Sequence, residues 1–98
     1  MMRVSNYLKN EFQKASQEAF GVCKLILFGS RTDDAKAGGD FDIAVDANIS
    51  KDGFKKAKVQ FFKYLLLKDL DLPIDLIHLN SASEFLKEEI RKKGILLS

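Results

Sequence analysis

The sequence predicts an α/β (α+β) domain, and three observations predict it. A nearly unbroken apolar run from Val22 to Phe28 reads as a buried strand. Alternation from about Asp40 to Val45 reads as a second strand. Around them lie segments whose apolar residues recur every three or four positions, the period of an amphipathic helix.

Each element can be placed in turn. Ser5 can cap a first helix whose apolar positions are Leu8, Phe12, Ala15 and Ala19, and Gly21 can close it in the left-handed conformation. The strand Val22 to Phe28 ends at Gly29, and the polar stretch Thr32 to Gly39 has no periodicity and reads as a loop. After Asp52, a candidate N-cap, Phe54, Ala57, Phe61 and Leu65 mark a second helix running to about Lys68. Leu72 to Leu79 is a third strand, with Pro73 at its start, where a missing donor is tolerated. Ser81 and Glu84 form a capping-box pattern for a third helix, which Gly94 can end after Arg91, Lys92 and Lys93. The expected order is helix, strand, strand, helix, strand, helix.

Composition bounds what such a chain can do. With 98 residues, 46% hydrophobic and 31% charged, it builds one core. A domain of this size buries about 60–70% of the surface its unfolded chain exposes, leaving little volume for a pocket enclosed on every side. Part of a substrate site is therefore expected from another chain. No internal repeat or linker interrupts residues 1–98, which read as a single domain. The lone Cys23 can form no intrachain disulfide, and no Cys/His cluster suits zinc, which fits a reducing cytoplasmic setting. No long apolar run, signal peptide or lipidation motif is present, so no membrane partner is expected. The net charge of +2 is too small to argue for direct nucleic-acid binding.

The chemistry concentrates between Leu25 and Asp42. Gly29 follows a buried strand and has no side chain to keep a ligand away, so backbone N–H groups and the Ser30 hydroxyl can donate to phosphate oxygens. Arg31 adds a fixed positive charge that can pair with phosphate or with an aspartate. Taken alone, Gly-Ser after a strand is a common turn.

Asp40 and Asp42 are a stronger signal. Strand side chains alternate, so these two share one face while Phe41 and Ile43 point to the other. Two like charges side by side repel unless a cation or several donors compensate them, and Mg²⁺, which takes oxygen ligands and bridges carboxylates to phosphates, is the natural compensator. The bland alternative is a pair of solvated carboxylates at a strand edge. Asp75 is the third candidate, because a carboxylate in the aliphatic strand Pro-Ile-Asp-Leu-Ile-His-Leu is costly to bury unpaired. Alternation sets His78 on the opposite face with Ile74 and Leu76, where it reads as a capped or partly exposed histidine rather than a catalytic one. Asp46 reads as a solvated strand end, Asp33 and Asp34 as turn formers. Lys51, Lys55, Lys56, Lys58 and Lys63 read as a solvated basic face that can also steer a nucleotide or an RNA-bearing partner.

Phe28-Gly29-Ser30-Arg31 followed by Asp40-Phe41-Asp42-Ile43, with Asp75 on a later apolar strand, resembles the signature of the minimal nucleotidyltransferases of the DNA polymerase beta superfamily. The resemblance covers nearly the whole chain, including the ending Lys-Lys-Gly-Ile-Leu-Leu. It implies a nucleotidyltransferase fold, a small mixed sheet with helices packed on it, and transfer of a nucleoside monophosphate with ATP as the donor. Asp40, Asp42 and Asp75 would be the catalytic residues and the ligands of two Mg²⁺ ions, with Asp75 helping to take the proton. Gly29, Ser30 and Arg31 would bind the nucleotide, with Gly29 and Ser30 gripping the outgoing pyrophosphate. Such small proteins pair with a helical HEPN-domain toxin in a hetero-complex and act as antitoxins by adenylylating a tyrosine of it.

Two other classes remain open on sequence. One is a binding module that neutralises its partner by contact, for which Ile95, Leu96 and Leu97 offer an apolar tail if they do not pack on the chain's own core. The other is transfer to a small molecule, disfavoured because 98 residues leave little room for a further acceptor-binding domain.

Overall fold

The computed structural model describes residues 5–29 and 41–97. Its elements are α1 (Asn6–Phe20), β1 (Lys24–Phe28), β2 (Phe41–Asp46), α2 (Lys51–Leu67), β3 (Ile74–His78), a 3₁₀ turn (Leu79–Ser81), α3 (Glu84–Lys93) and β4 (Ile95–Leu96). The strands form one mixed sheet in the order β3-β2-β1-β4. β1 pairs antiparallel with β2 and β4, and β2 pairs parallel with β3. A parallel pair needs a crossover, and α2 supplies it.

Local chemistry sets the helix ends. The Ser5 hydroxyl accepts the Leu8 N–H at 3.2 Å, and Gly21 closes α1 at φ 75°. α2 starts at Ser50, not Asp52: the Ser50 hydroxyl accepts the Gly53 N–H at 3.0 Å. A capping oxygen must precede the N–H it receives by two or three residues, so Asp52 instead lies in the first turn, where its charge favours the helix dipole. α3 likewise opens at Ser83, which accepts the Leu86 N–H at 3.2 Å. Ser81 is drawn into the 3₁₀ turn, and its hydroxyl meets His78 Nδ1 at 2.9 Å. The first strand is shorter than the apolar run, since Val22 is fully exposed and pairing begins at Lys24.

The sequence did not reveal β4. Its two residues pair with Ile26 and Leu27, the Leu97 N–H donates to the Leu25 carbonyl at 2.7 Å, and Leu97 is buried. The apolar tail therefore packs on the chain's own core. Too short for a visible alternation, it becomes a strand only because β1 offers it an edge.

Both long helices cover one face of the sheet. Phe12 and Ala15 of α1 and Phe54, Phe61 and Leu65 of α2 pack on Leu25, Leu27, Phe41, Ile43, Val45 and Leu76. Phe12 meets Phe41 edge-on at 5.7 Å, and Phe54 stacks on His78 at 5.0 Å. The opposite face carries Ile26, Asp42, Ala44, Asp46 and Asp75, and α3 covers only its far end through Ile90. Gly94 is required there, because a Cβ would strike both the Ile90 carbonyl and Ile26. The described helices leave the Asp42 end of that face uncovered. No described helix is long and apolar enough to cross a membrane.

Candidate active site at the Asp42 end of the sheet

β2 places Asp42 between two neighbours. Across the antiparallel pair it faces Phe28, the last residue of β1, and across the parallel pair it faces Asp75. Adjacent strands lie about 4.8 Å apart, so the two carboxylates leave the same sheet face as immediate neighbours. Phe41, Ile43 and Val45 are buried on the other face, as alternation requires, while Asp42 is half-buried and Asp75 exposed. The Phe41 N–H donates to the Pro73 carbonyl at 2.8 Å, which fixes the start of β2 against the approach to β3.

Gly29 completes this corner. Its φ is 78°, a conformation that L side chains rarely adopt. A Cβ at this position would collide with the Asp42 carboxylate. The turn thus brings bare backbone directly against one of the candidate acids.

The structure therefore brings Gly29, Asp42 and Asp75 together. Ser30, Arg31 and Asp40, the remaining residues expected of the site, lie outside the described residues, as do Asp33 and Asp34. Among the described residues no three His, Cys, Asp or Glu side chains gather into a metal-holding group. The donors present still suit Mg²⁺: Asp42 and Asp75 offer hard carboxylate oxygens on one face, with no nitrogen or sulfur ligand beside them on their strands.

His78 is on the face away from the acids, as expected. Of the two readings offered for it, capped or partly exposed, it takes the first: it is buried, with Nδ1 against the Ser81 hydroxyl. It is held by its stack on Phe54 and its contact with Ser81, and its Nε2 has no partner among the described residues. Asp46 is half-buried at the far end of β2, lining a cavity of about 290 Å³ with Ile26, Asn80, Lys87, Ile90 and Arg91. It is thus more enclosed than a solvated strand end. Cys23 precedes β1 by one residue, and burial pushes its thiol up, helped by the Asp46 charge against a lowering hydrogen bond from Ser16. Its neighbour Lys24 pairs with Asp46 at the far end of β2, so Cys23 lies away from the Asp42 corner.

Sequence reading missed one surface. Beyond its inward residues, α2 carries a second apolar set, Val59, Phe62, Leu66 and Leu67, which line a groove with Lys63. The signal was present, since this helix has more apolar residues than one buried face can use.

The family model described as "Polymerase beta, Nucleotidyltransferase" matches residues 7–98. Three solved structures are similar over 92% of the chain. A toxin–antitoxin complex with AMP-PNP shares 28% identity at a TM-score of 0.72, with 72% of that chain covered. The tri-AMPylated HEPN toxin of Shewanella oneidensis in complex with its MNT antitoxin shares 28% at 0.66, covering 68%. A toxin–antitoxin complex carrying two Asp-to-Glu substitutions shares 26% at 0.71, covering 71%. No curated protein sequence matches the chain.

Proposed function

The chain belongs to the polymerase beta nucleotidyltransferase family, and from that premise we propose that it transfers AMP from ATP to a tyrosine of a HEPN-family toxin and so acts as its antitoxin. One observation carries the reading: Asp42 and Asp75 are register partners on one open sheet face, with the side-chain-free Gly29 turned against Asp42. The similar complexes support it. One holds AMP-PNP, one contains an AMPylated HEPN toxin, and one altered two aspartates two positions apart, the spacing of Asp40 and Asp42. Residues 1–98 act in this reading as one cytoplasmic nucleotidyltransferase domain.

Asp40, Asp42 and Asp75 would hold two Mg²⁺ ions, which supply charge neutralisation at the triphosphate and a lowered pKa for the attacking hydroxyl. Gly29, Ser30 and Arg31 would orient the triphosphate so that its α-phosphorus faces the acceptor. The tyrosine oxygen forms the new bond to that phosphorus, the bond to pyrophosphate breaks, and the phenolic proton passes to Asp75. Asp75 suits this task because it is exposed on an edge strand, where an acceptor on another protein can reach it.

The test is intact-mass analysis of a HEPN-family partner incubated with the chain, ATP and Mg²⁺. Gain of AMP units on the partner, lost when Asp42→Asn is used, is the expected result. No gain with the wild-type chain in a complex that still forms would sink the catalytic reading and leave neutralisation by contact.

A further inference from the structure

α2 has two flanks with different neighbours. Phe54, Phe61 and Leu65 point into the core, and Gln60, Lys63, Tyr64 and Leu67 line a groove with Glu18 of α1. A helix turns 100° per residue, so Val59, Phe62 and Leu66 lie on the flank away from α1. α2 packs against β3, the edge strand of the sheet, as the Phe54–His78 stack records. This flank therefore overhangs the same edge of the molecule that carries Asp75. Val59 and Leu66 are 63% and 57% exposed there, so no residue described in this chain covers them.

Charge decides what does. α2 carries Lys51, Lys55, Lys56, Lys58 and Lys63 against the single acid Asp52. None of Lys55, Lys56 and Lys63 has an ion-pair partner among the described residues. A second copy of the chain would set lysines against lysines across the apolar stripe, and nucleic acid would leave the stripe unburied. An apolar protein surface bordered by Asp and Glu satisfies both parts.

We propose that this flank of α2 is the docking surface for the acceptor protein, which binds through an apolar surface bordered by carboxylates. The inference rests on the proposed transfer to a protein and adds where that protein is held. Docked along the β3 edge, the partner lies beside the strand that bears Asp75, so its acceptor hydroxyl can reach the open sheet face without α1 or α2 in the way.

The experiment uses the full chain and a HEPN-family partner, comparing wild type with Leu66→Glu and with the pair Lys55→Glu, Lys63→Glu. All three positions are exposed, so the melting temperature and ATP binding of the chain alone should be unchanged. Leu66→Glu is expected to raise the KM for the partner at least about tenfold with kcat little altered. The charge-reversed pair is expected to weaken binding at low salt and to lose the salt dependence seen with wild type. An unchanged partner KM in both variants overturns the proposal, as does a wild-type homodimer that Leu66→Glu splits. If wild type transfers no AMP but Leu66→Glu abolishes the complex, the transfer reading falls and the docking surface stands. If wild type and both variants transfer alike, the reverse holds.

Discussion

Asp42 and Asp75 are direct partners across the parallel β2–β3 pair, both on the sheet face that α1 and α2 leave open. Like charges directly opposite each other on a sheet destabilise it unless a cation or a donor compensates them. Replacing Asp75, which is exposed, by asparagine relieves the repulsion without making a cavity. In metal-free buffer Asp75→Asn should melt about 1–3 °C above wild type. Added Mg²⁺ should raise the wild-type melting temperature and move the variant less, while AMP transfer falls at least about a hundredfold. A variant that melts lower in chelator would mean that Asp75 is held by the fold rather than strained within it.

Gly29 stands against Asp42 at φ 78°, so an alanine there meets two penalties at once. The positive φ costs about 1 kcal/mol, and the methyl group must displace the Asp42 carboxylate. Gly29→Ala should lower unfolding free energy by about 1–2 kcal/mol in urea titration and cut transfer far more than complex formation with the partner. Transfer at the wild-type rate would show that the close approach has no role in placing the acid.

Much of this arrangement was legible because it depends on period and on chain order. Alternation along Phe41-Asp42-Ile43 fixes which face each side chain takes, and the acids follow without any tertiary information. That Asp42 faces Asp75 rather than Leu76 or Ile77 was not legible, since register between strands joined by a helix depends on how α2 packs. Ser50 and Ser83 were passed over as caps because Asp52 and Ser81 also match cap chemistry, and only the backbone decides which oxygen reaches an N–H. Whether His78 is capped or partly exposed was not legible either, since that depends on Phe54 stacking over it and Ser81 reaching Nδ1.

The cap assignment has its own consequence. Ser50→Ala removes the oxygen that receives the Gly53 N–H and should cost about 1 kcal/mol in chemical denaturation. Asp52→Ala loses only the interaction of an exposed charge with the helix dipole and should cost less than half as much, an amount that shrinks in high salt. Equal losses would return the cap to Asp52.

Cys23 gives a pH-dependent test. Burial is the largest cause of its raised thiol pKa, followed by a lowering hydrogen bond from Ser16 and a raising charge from Asp46. A raised pKa means less thiolate at neutral pH than an ordinary cysteine has, so a disulfide reagent should react more slowly with the folded chain than with the chain in urea. The folded rate should still be climbing where the unfolded rate has levelled off. Because the thiol is remote from Asp42 and Asp75, Cys23→Ala should leave AMP transfer unchanged, and a loss of transfer would place it in the chemistry.

Leu96 and Leu97 are adjacent in sequence and opposite in environment. Leu97 is 1% exposed and packs in the main core beside Leu25, with its carbonyl taken by the Gln13 side chain, while Leu96 is 56% exposed. Leu97→Ala leaves a cavity between sheet and α1 and should cost about 2–4 kcal/mol of unfolding free energy. Leu96→Asp sits on the solvent side of β4 and should change stability by less than about 0.5 kcal/mol. The pair also separates two roles for the tail: if it is core, Leu97→Ala weakens the partner complex only as far as it unfolds the chain, and Leu96→Asp leaves the complex intact. Loss of the complex with Leu96→Asp at full thermal stability would make the tail a contact surface, and the α2 flank would then share the partner with it.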